Sequence, residues 1–174
     1  MEQTSRIRTF GDPVLSSPSL AVTSIDAKLV RLVESMLVTL NADGSAIGLA
    51  APQVGVNRQV FVWNTTGAPQ VILNPSIVES DGEWVFPEGC LSLPGLFVDI
   101  LRPANVLMRG VDLEGNSVDI EASALDARLF QHEVDHLSGV LMFDRMHPEQ
   151  RRDALVEYEL LRAGVTAKGP LRAR

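Results

Sequence analysis

The stretch FQHEVDHLSG, Phe130 to Gly139, holds two of the chain's three histidines, with a glutamate directly after the first. It spells H-E-x-x-H within a segment of helical periodicity, with Leu125, Leu129, His132, Val134 and His136 along it. Ser123 is placed to cap that segment and Ser138-Gly139 to end it. An ordinary amphipathic helix can carry the same spelling, so the pattern is judged by the chemistry it permits. Positions i and i+4 share one helix face, and His132 and His136 can therefore offer two imidazole nitrogens to one tetrahedral cation. Glu133 is rotated by about 100° from His132, which lets it reach a water on the cation without ligating it. Two neutral nitrogens and one further donor leave a fourth position open. There a cation draws the pKa of water toward ~7, and a neighbouring carboxylate carries the proton.

The third donor is not fixed by this stretch. The continuation H-E-x-x-H-x-x-G-x-x-H keeps Gly139 in register but ends at Met142, whose thioether cannot replace a neutral imidazole on a borderline cation. Glu157 or Glu159, on a later helix, would complete a two-histidine, one-carboxylate set. The lone Cys90, in PEGCLSLPG, would complete a Cys-His-His set. One cysteine cannot form an internal disulfide, which suits a reducing compartment and leaves an apolar filler, a reactive thiol or a metal thiolate.

Upstream of this helix the signals are those of strands and turns. QVFVW (Gln59 to Trp63), QVILNPSIV (Gln70 to Val78), LFVDILR (Leu96 to Arg102) and NVLMRGVDL (Asn105 to Leu113) are rich in β-formers, and EGN at Glu114 to Asn116 reads as a hairpin turn into SVDIEA. These spacings suit antiparallel strands rather than βαβ crossovers. The first 22 residues read as an extended arm. A helix is expected from about Ile25 to Asn41, capped by Thr23 or Ser24, with Asp26 in its first turn and NADG as its stop. A last helix is expected to open at Pro148 and run to about Ala163. The expected fold is α+β: antiparallel sheets wrapped around a central metal-binding helix, with one helix before them and one after.

The 174 residues are read as one domain, 1–174, large enough to bury a core without disulfides or a structural metal. A cation would then serve chemistry rather than folding. With 45% hydrophobic and 21% charged residues the composition is globular. A net charge of -7 argues against a surface built for nucleic acid, and no direct DNA binding is expected. The charge is uneven: from Arg145 onward the chain carries +3 and the remainder -10. The basic helix and tail over about 148–174 could meet an RNA-rich partner, or form an ordinary solvated face. No segment has the length and hydropathy of a signal peptide or membrane span, so a cytoplasmic protein without membrane contact is expected.

Three separated segments together resemble the signature motifs of peptide deformylases: AIGLAAPQVG (Ala46 to Gly55), EGCLS (Glu88 to Ser92) and QHEVDHL (Gln131 to Leu137). Their order and separations match that family, and the likeness runs from FGDPVL to GVLMFDR. The resemblance implies Cys90, His132 and His136 as ligands of one divalent metal ion. In the cell that ion would be Fe²⁺, with Zn²⁺ or other divalent ions able to occupy the site. It implies Glu133 as general base and acid, with Gln53 and the Leu91 N–H stabilising the oxyanion. The implied reaction is hydrolysis of the N-formyl group from the formylmethionine of nascent polypeptides, with hydroxide on the metal attacking the formyl carbon and formate released. N-formylmethionyl nascent peptides are the implied partner, with the basic C-terminal segment a contact for the ribosome. Ile47, Gly48, Glu88, Gly89 and Leu129 are expected around the substrate, Ile47 and Gly48 through their backbones, and Leu129 with Ile47 opposite it in a pocket for the methionine side chain. One departure stands out: the first glycine of the family's G-x-G-x-A-A-x-Q pattern is Ala46 here. Asp135 is expected to be structural, with Arg102 as its partner, and His147 to lie at the surface or cap the last helix. Two readings compete: a metallopeptidase with Glu157 or Glu159 as third ligand, and a non-catalytic binding module.

Overall fold

The computed structural model describes residues 4–165. The basic tail beyond them, with Lys168, Arg172 and Arg174, lies outside the described residues. Seven strands and three α-helices follow the arm: α1 (Ala27–Asp43), β1 (Gly48–Ala50), β2 (Val60–Trp63), β3 (Gln70–Asp81), β4 (Trp84–Cys90), β5 (Leu93–Arg102), β6 (Asn105–Val111), β7 (Ser117–Ser123), α2 (Ala124–Leu137) and α3 (Pro148–Arg162). Five strands form one antiparallel sheet in the order β1-β2-β3-β6-β7, and β4 and β5 form a separate hairpin. The α+β expectation holds.

Strand alternation decides what each face of the sheet covers. Leu49, Val60, Val62 and Leu73 point to one side and pack on Leu29, Val33, Met36 and Leu40 of α1. Ala50, Phe61, Trp63 and Ile72 point to the other and pack, with Val106 and Met108, on Ala127, Leu129, Phe130 and Leu137 of α2. A third cluster joins Leu93, Leu96, Val98 and Ile100 of β5 to Ala154 and Tyr158 of α3. The helix bearing the histidines thus has the large sheet on one side, while buried polar bonds tie its other side to the hairpin.

The ends of the elements differ from expectation in two instructive places. Asp26 is the N-cap of α1 rather than part of its first turn: its carboxylate accepts from Lys28 N–H and Leu29 N–H, both at 2.9 Å. Ser123 sits at the N-cap of α2 but makes no side-chain capping bond. Strand β4 was hidden in the sequence by Pro87 and Gly89. Pairing on one side only, with β5, lets it accommodate a residue without an N–H. The Asn74-Pro75 pair inside β3 marks a bulge, with Asn74 at φ 49°. Its side chain accepts from Val22 N–H at 2.7 Å and donates to Val22 C=O at 2.9 Å, which stitches the arm to the sheet. No helix among the described residues is long and apolar enough to cross a membrane.

Candidate metal centre and active site

Cys90 ends β4 at the tight turn of the hairpin, and His132 and His136 lie one helical turn apart on α2. The fold brings them together: the ligand atoms of Cys90, His132 and His136 all lie within 4.8 Å of one another. Cys90 Sγ is 3.2 Å from His136 Nε2, and the two imidazole rings sit edge to face with centroids 4.8 Å apart. His132 Nδ1 is 3.0 Å from Glu88 Oε2, and donating there leaves Nε2 with its lone pair free for a cation. One thiolate and two imidazoles with a fourth side open suit a tetrahedral divalent ion of borderline softness. Burial alone would raise the Cys90 thiol, but His136 and His132 outweigh it and hold the group well below the ordinary thiol range. Neither Glu157 nor Glu159 belongs to the cluster.

Glu133 is 3% exposed, and its Oε2 has no hydrogen-bond partner among the described residues. Burial pushes this carboxyl up to about 7, against the pull of His132 and His136. Above it passes the backbone of Gly48. A Cβ built on Gly48 would stand 2.5 Å from Glu133 Oε1 and would also meet Leu129 Cδ1, so glycine is required here for close approach rather than for an unusual φ. Ile47 packs on the same cluster as Leu129, which brings together the expected pocket residues. The carbonyl of Ile47 accepts from Asn64 N–H at 2.9 Å and is engaged in the sheet. In the antiparallel pair with β2, alternation turns the backbone groups of Gly48 toward the free edge of β1 instead.

Gln53 is buried in a 3-10 turn directly after β1. Its Oε1 accepts from Ala50 N–H at 2.9 Å, which fixes the amide orientation. Nε2 therefore faces the hairpin turn, 3.3 Å from Ser92 Oγ and 3.6 Å from Cys90 Sγ. Leu91 occupies that turn, half-buried, with its side chain in the cluster on the α1 side of the sheet.

Glu88, expected beside the substrate, is turned inward and 5% exposed. Besides His132, it accepts from Arg102 Nε at 2.5 Å, Arg102 Nη2 at 3.0 Å and Arg128 Nη1 at 2.5 Å. Burial opposes its charge, but His132 and Arg102 outweigh that and hold the carboxyl well below the usual carboxylate range. The physical reason is alternation along β4: Glu88 points to the helix and Gly89 away from it, under the ring of Phe97. The expected Arg102–Asp135 pair is present at 2.8 Å, and Asp135 is also gripped by Arg145. Sequence reasoning missed Arg128, which also donates to Ile100 C=O and Trp84 C=O and stacks over the Trp84 ring. Its signal was a charged residue four positions before His132, amid the apolar Ala127, Leu129 and Phe130. His147 is exposed at the N-cap of α3, without a side-chain capping bond.

Comparison with known proteins adds to this geometry. The family described as polypeptide deformylase matches residues 4–152. A peptide deformylase of Thermotoga neapolitana is 42% identical over 166 residues, covering 94% of this chain and 99% of that protein. One of Acidothermus cellulolyticus is 44% identical over 149 residues, covering 86% of this chain and 82% of that one. Among solved structures, the peptide deformylase of Legionella pneumophila superposes with a TM-score of 0.86 at 34% identity, covering 92% of this chain and 96% of that one. That of Thermotoga maritima gives 0.80 at 41% identity, covering 84% and 99%. Sequence and fold agree, and the chain is an enzyme belonging to the polypeptide deformylase family.

Proposed function

We propose that this protein hydrolyses the N-formyl group from the N-terminal formylmethionine of nascent polypeptides, releasing formate and a free α-amine. The observation that carries the reading is the cluster of Cys90, His132 and His136 beside the buried carboxylate of Glu133, whose Oε2 has no hydrogen-bond partner among the described residues. A divalent cation held by those three residues supplies Lewis acidity, acidifying water and polarising a carbonyl oxygen. Our assignment for the cell is Fe²⁺, and the same donors accept Zn²⁺.

Glu133 takes the proton of the attacking water as the new C–O bond forms on the formyl carbon. It then delivers that proton to the nitrogen as the C–N bond breaks. A buried carboxyl whose Oε2 has no hydrogen-bond partner among the described residues is free to take a proton and give it back. Gln53 Nε2 and the Leu91 N–H serve as donors to the formyl oxygen as its negative charge grows, and the Ala50 contact keeps the Gln53 amide from turning its oxygen there. The substrate backbone adds along the free edge of β1 at Gly48, with Gly89 opposite. Leu129 and Ile47 receive the methionine side chain. The role left for Glu88 is to orient His132. We assign the whole chain, 1–174, to one domain working in the cytoplasm, with its basic C-terminal segment toward the ribosome.

The test is formate release from a formyl-Met-Ala-Ser peptide by anaerobically prepared, Fe²⁺-loaded protein. Rapid release supports the reading. A fully loaded protein that releases no formate overturns it and returns the metallopeptidase reading to first place.

A further inference from the structure

The N-terminal arm runs behind the site and touches all three motif segments through its backbone. Arg8 N–H donates to Gln53 C=O at 2.7 Å, Phe10 N–H to Ser92 C=O at 2.9 Å, and Ser19 N–H to Leu137 C=O at 2.8 Å. Leu137 directly follows His136, and Ser92 lies two residues after Cys90. The first two bonds leave the arm two residues apart. They hold the segments whose side chains also meet, since Gln53 Nε2 lies 3.3 Å from Ser92 Oγ and 3.6 Å from Cys90 Sγ.

Two glycines make room for this arm. Gly55, at φ 85°, lies so close under Arg8 that a Cβ would stand 2.7 Å from the Arg8 Nε. A Cβ on Gly139, at φ 73°, would stand 2.9 Å from backbone atoms of Ser16 and Ser17. The arm is also anchored where it meets the hairpin: the Phe10 ring packs edge-on against Phe143, centroids 4.9 Å apart, and Tyr158, 5.9 Å apart.

From this geometry we infer that the segment Arg8 to Phe10 is a positioning strap for the oxyanion donors: its two N–H groups set the spacing between Gln53 and the Cys90-Leu91 turn. The inference rests on the role given to Gln53 above. It predicts a signature that general destabilisation would not produce. Arg8→Pro removes the N–H bound to Gln53 and should lower kcat about tenfold, because a small misplacement of a transition-state donor weakens it without removing it. KM and metal stoichiometry should stay unchanged.

The deciding experiment is a double-mutant cycle of Arg8→Pro with Gln53→Ala on the metal-loaded enzyme, following kcat, KM and bound metal. The strap predicts that Arg8→Pro causes no further loss once Gln53 is alanine. Full additivity, a change confined to KM, loss of metal, or wild-type kcat in Arg8→Pro would each overturn it. Wild-type kcat in Gln53→Ala would instead overturn the oxyanion role itself. Should Arg8→Pro fail to fold, Phe10→Ala, which loosens the seating of both N–H groups by removing the ring that anchors them on Phe143 and Tyr158, takes its place in the cycle, with the same results supporting or overturning the strap.

Discussion

Two buried glutamates neighbour the same histidine in opposite surroundings. Glu88 accepts four hydrogen bonds, from Arg102 twice, Arg128 and His132, and is held ionised. Glu133 has an oxygen without a partner among the described residues and is raised to about 7. The difference shows how one interior keeps one carboxylate as a fixed charge and raises another until it titrates near neutrality. Satisfaction by cations makes the first inert to protonation near neutrality, and desolvation, outweighing the pull of His132 and His136, makes the second titrate there. Strand β4 brings Glu88 to His132 and the helix sets Glu133 directly after it, so on the reading proposed above an orienting group and a reacting group lie side by side.

The contrast is broken most severely by removing the reacting group. Glu133→Ala should lower kcat by about 10³ or more while metal content stays at the wild-type level, whereas Cys90→Ala should lose both metal and activity. Metal analysis beside formate release separates the two. A Cys90→Ala protein with full metal would restore Glu157 or Glu159 as the third donor.

The next effect falls on stability. Arg102→Met leaves Glu88 and Asp135 short of a shared, fully buried cation, and unfolding free energy should drop by about 3–5 kcal/mol in a denaturant titration. A drop below about 1 kcal/mol would mean that Arg128 and Arg145 suffice.

A smaller change follows from Glu88→Gln, which keeps the shape but removes the charge behind His132. Metal affinity should fall ~10–100-fold, read by competition with a chelator, with a smaller loss of kcat in the loaded enzyme. Unchanged affinity would deny Glu88 its orienting role.

The smallest effect concerns acid and base. The folded Glu133 carboxyl holds a proton between its ordinary value of 4.5 and about 7 that the unfolded chain has released. Folding therefore gains from this group below that window, and the gain is lost as pH rises through it. Glu88 acts in the reverse sense: its depressed pKa contributes stability above the ordinary carboxylate value, and that contribution is lost as pH falls below it. In metal-free protein, Glu133→Gln should be more stabilising at ~pH 8 than at ~pH 5, measured as the shift of the urea midpoint. An equal shift at both would place the Glu133 transition outside that window.

Much of this arrangement was legible in the sequence because it is local or periodic. The i, i+4 histidines, the alternating strands and the helix opened by Pro148 each follow from spacing along the chain. The Arg102–Asp135 pair was expected too, with Asp135 read as a structural residue of the helix. What stayed hidden depends on register between distant segments. Glu88 reads as a motif residue near a substrate until the pairing of β4 with β5 turns it toward α2. Pro87 and Gly89 concealed that strand. The need for glycine at 48 arises from a helix about eighty residues later, and the role of Arg128 depends on Trp84 and Ile100, whose carbonyls it reaches across 44 and 28 residues.

The position of Cys90 at the hairpin turn has one more consequence. Its contact with His136 spans 46 residues, so a cation shared by them is also a clasp between the hairpin and the helix. Binding to the folded form alone raises stability with the concentration of free ion. Filling the site would then tie the readiness of the enzyme to the metal supply of its surroundings.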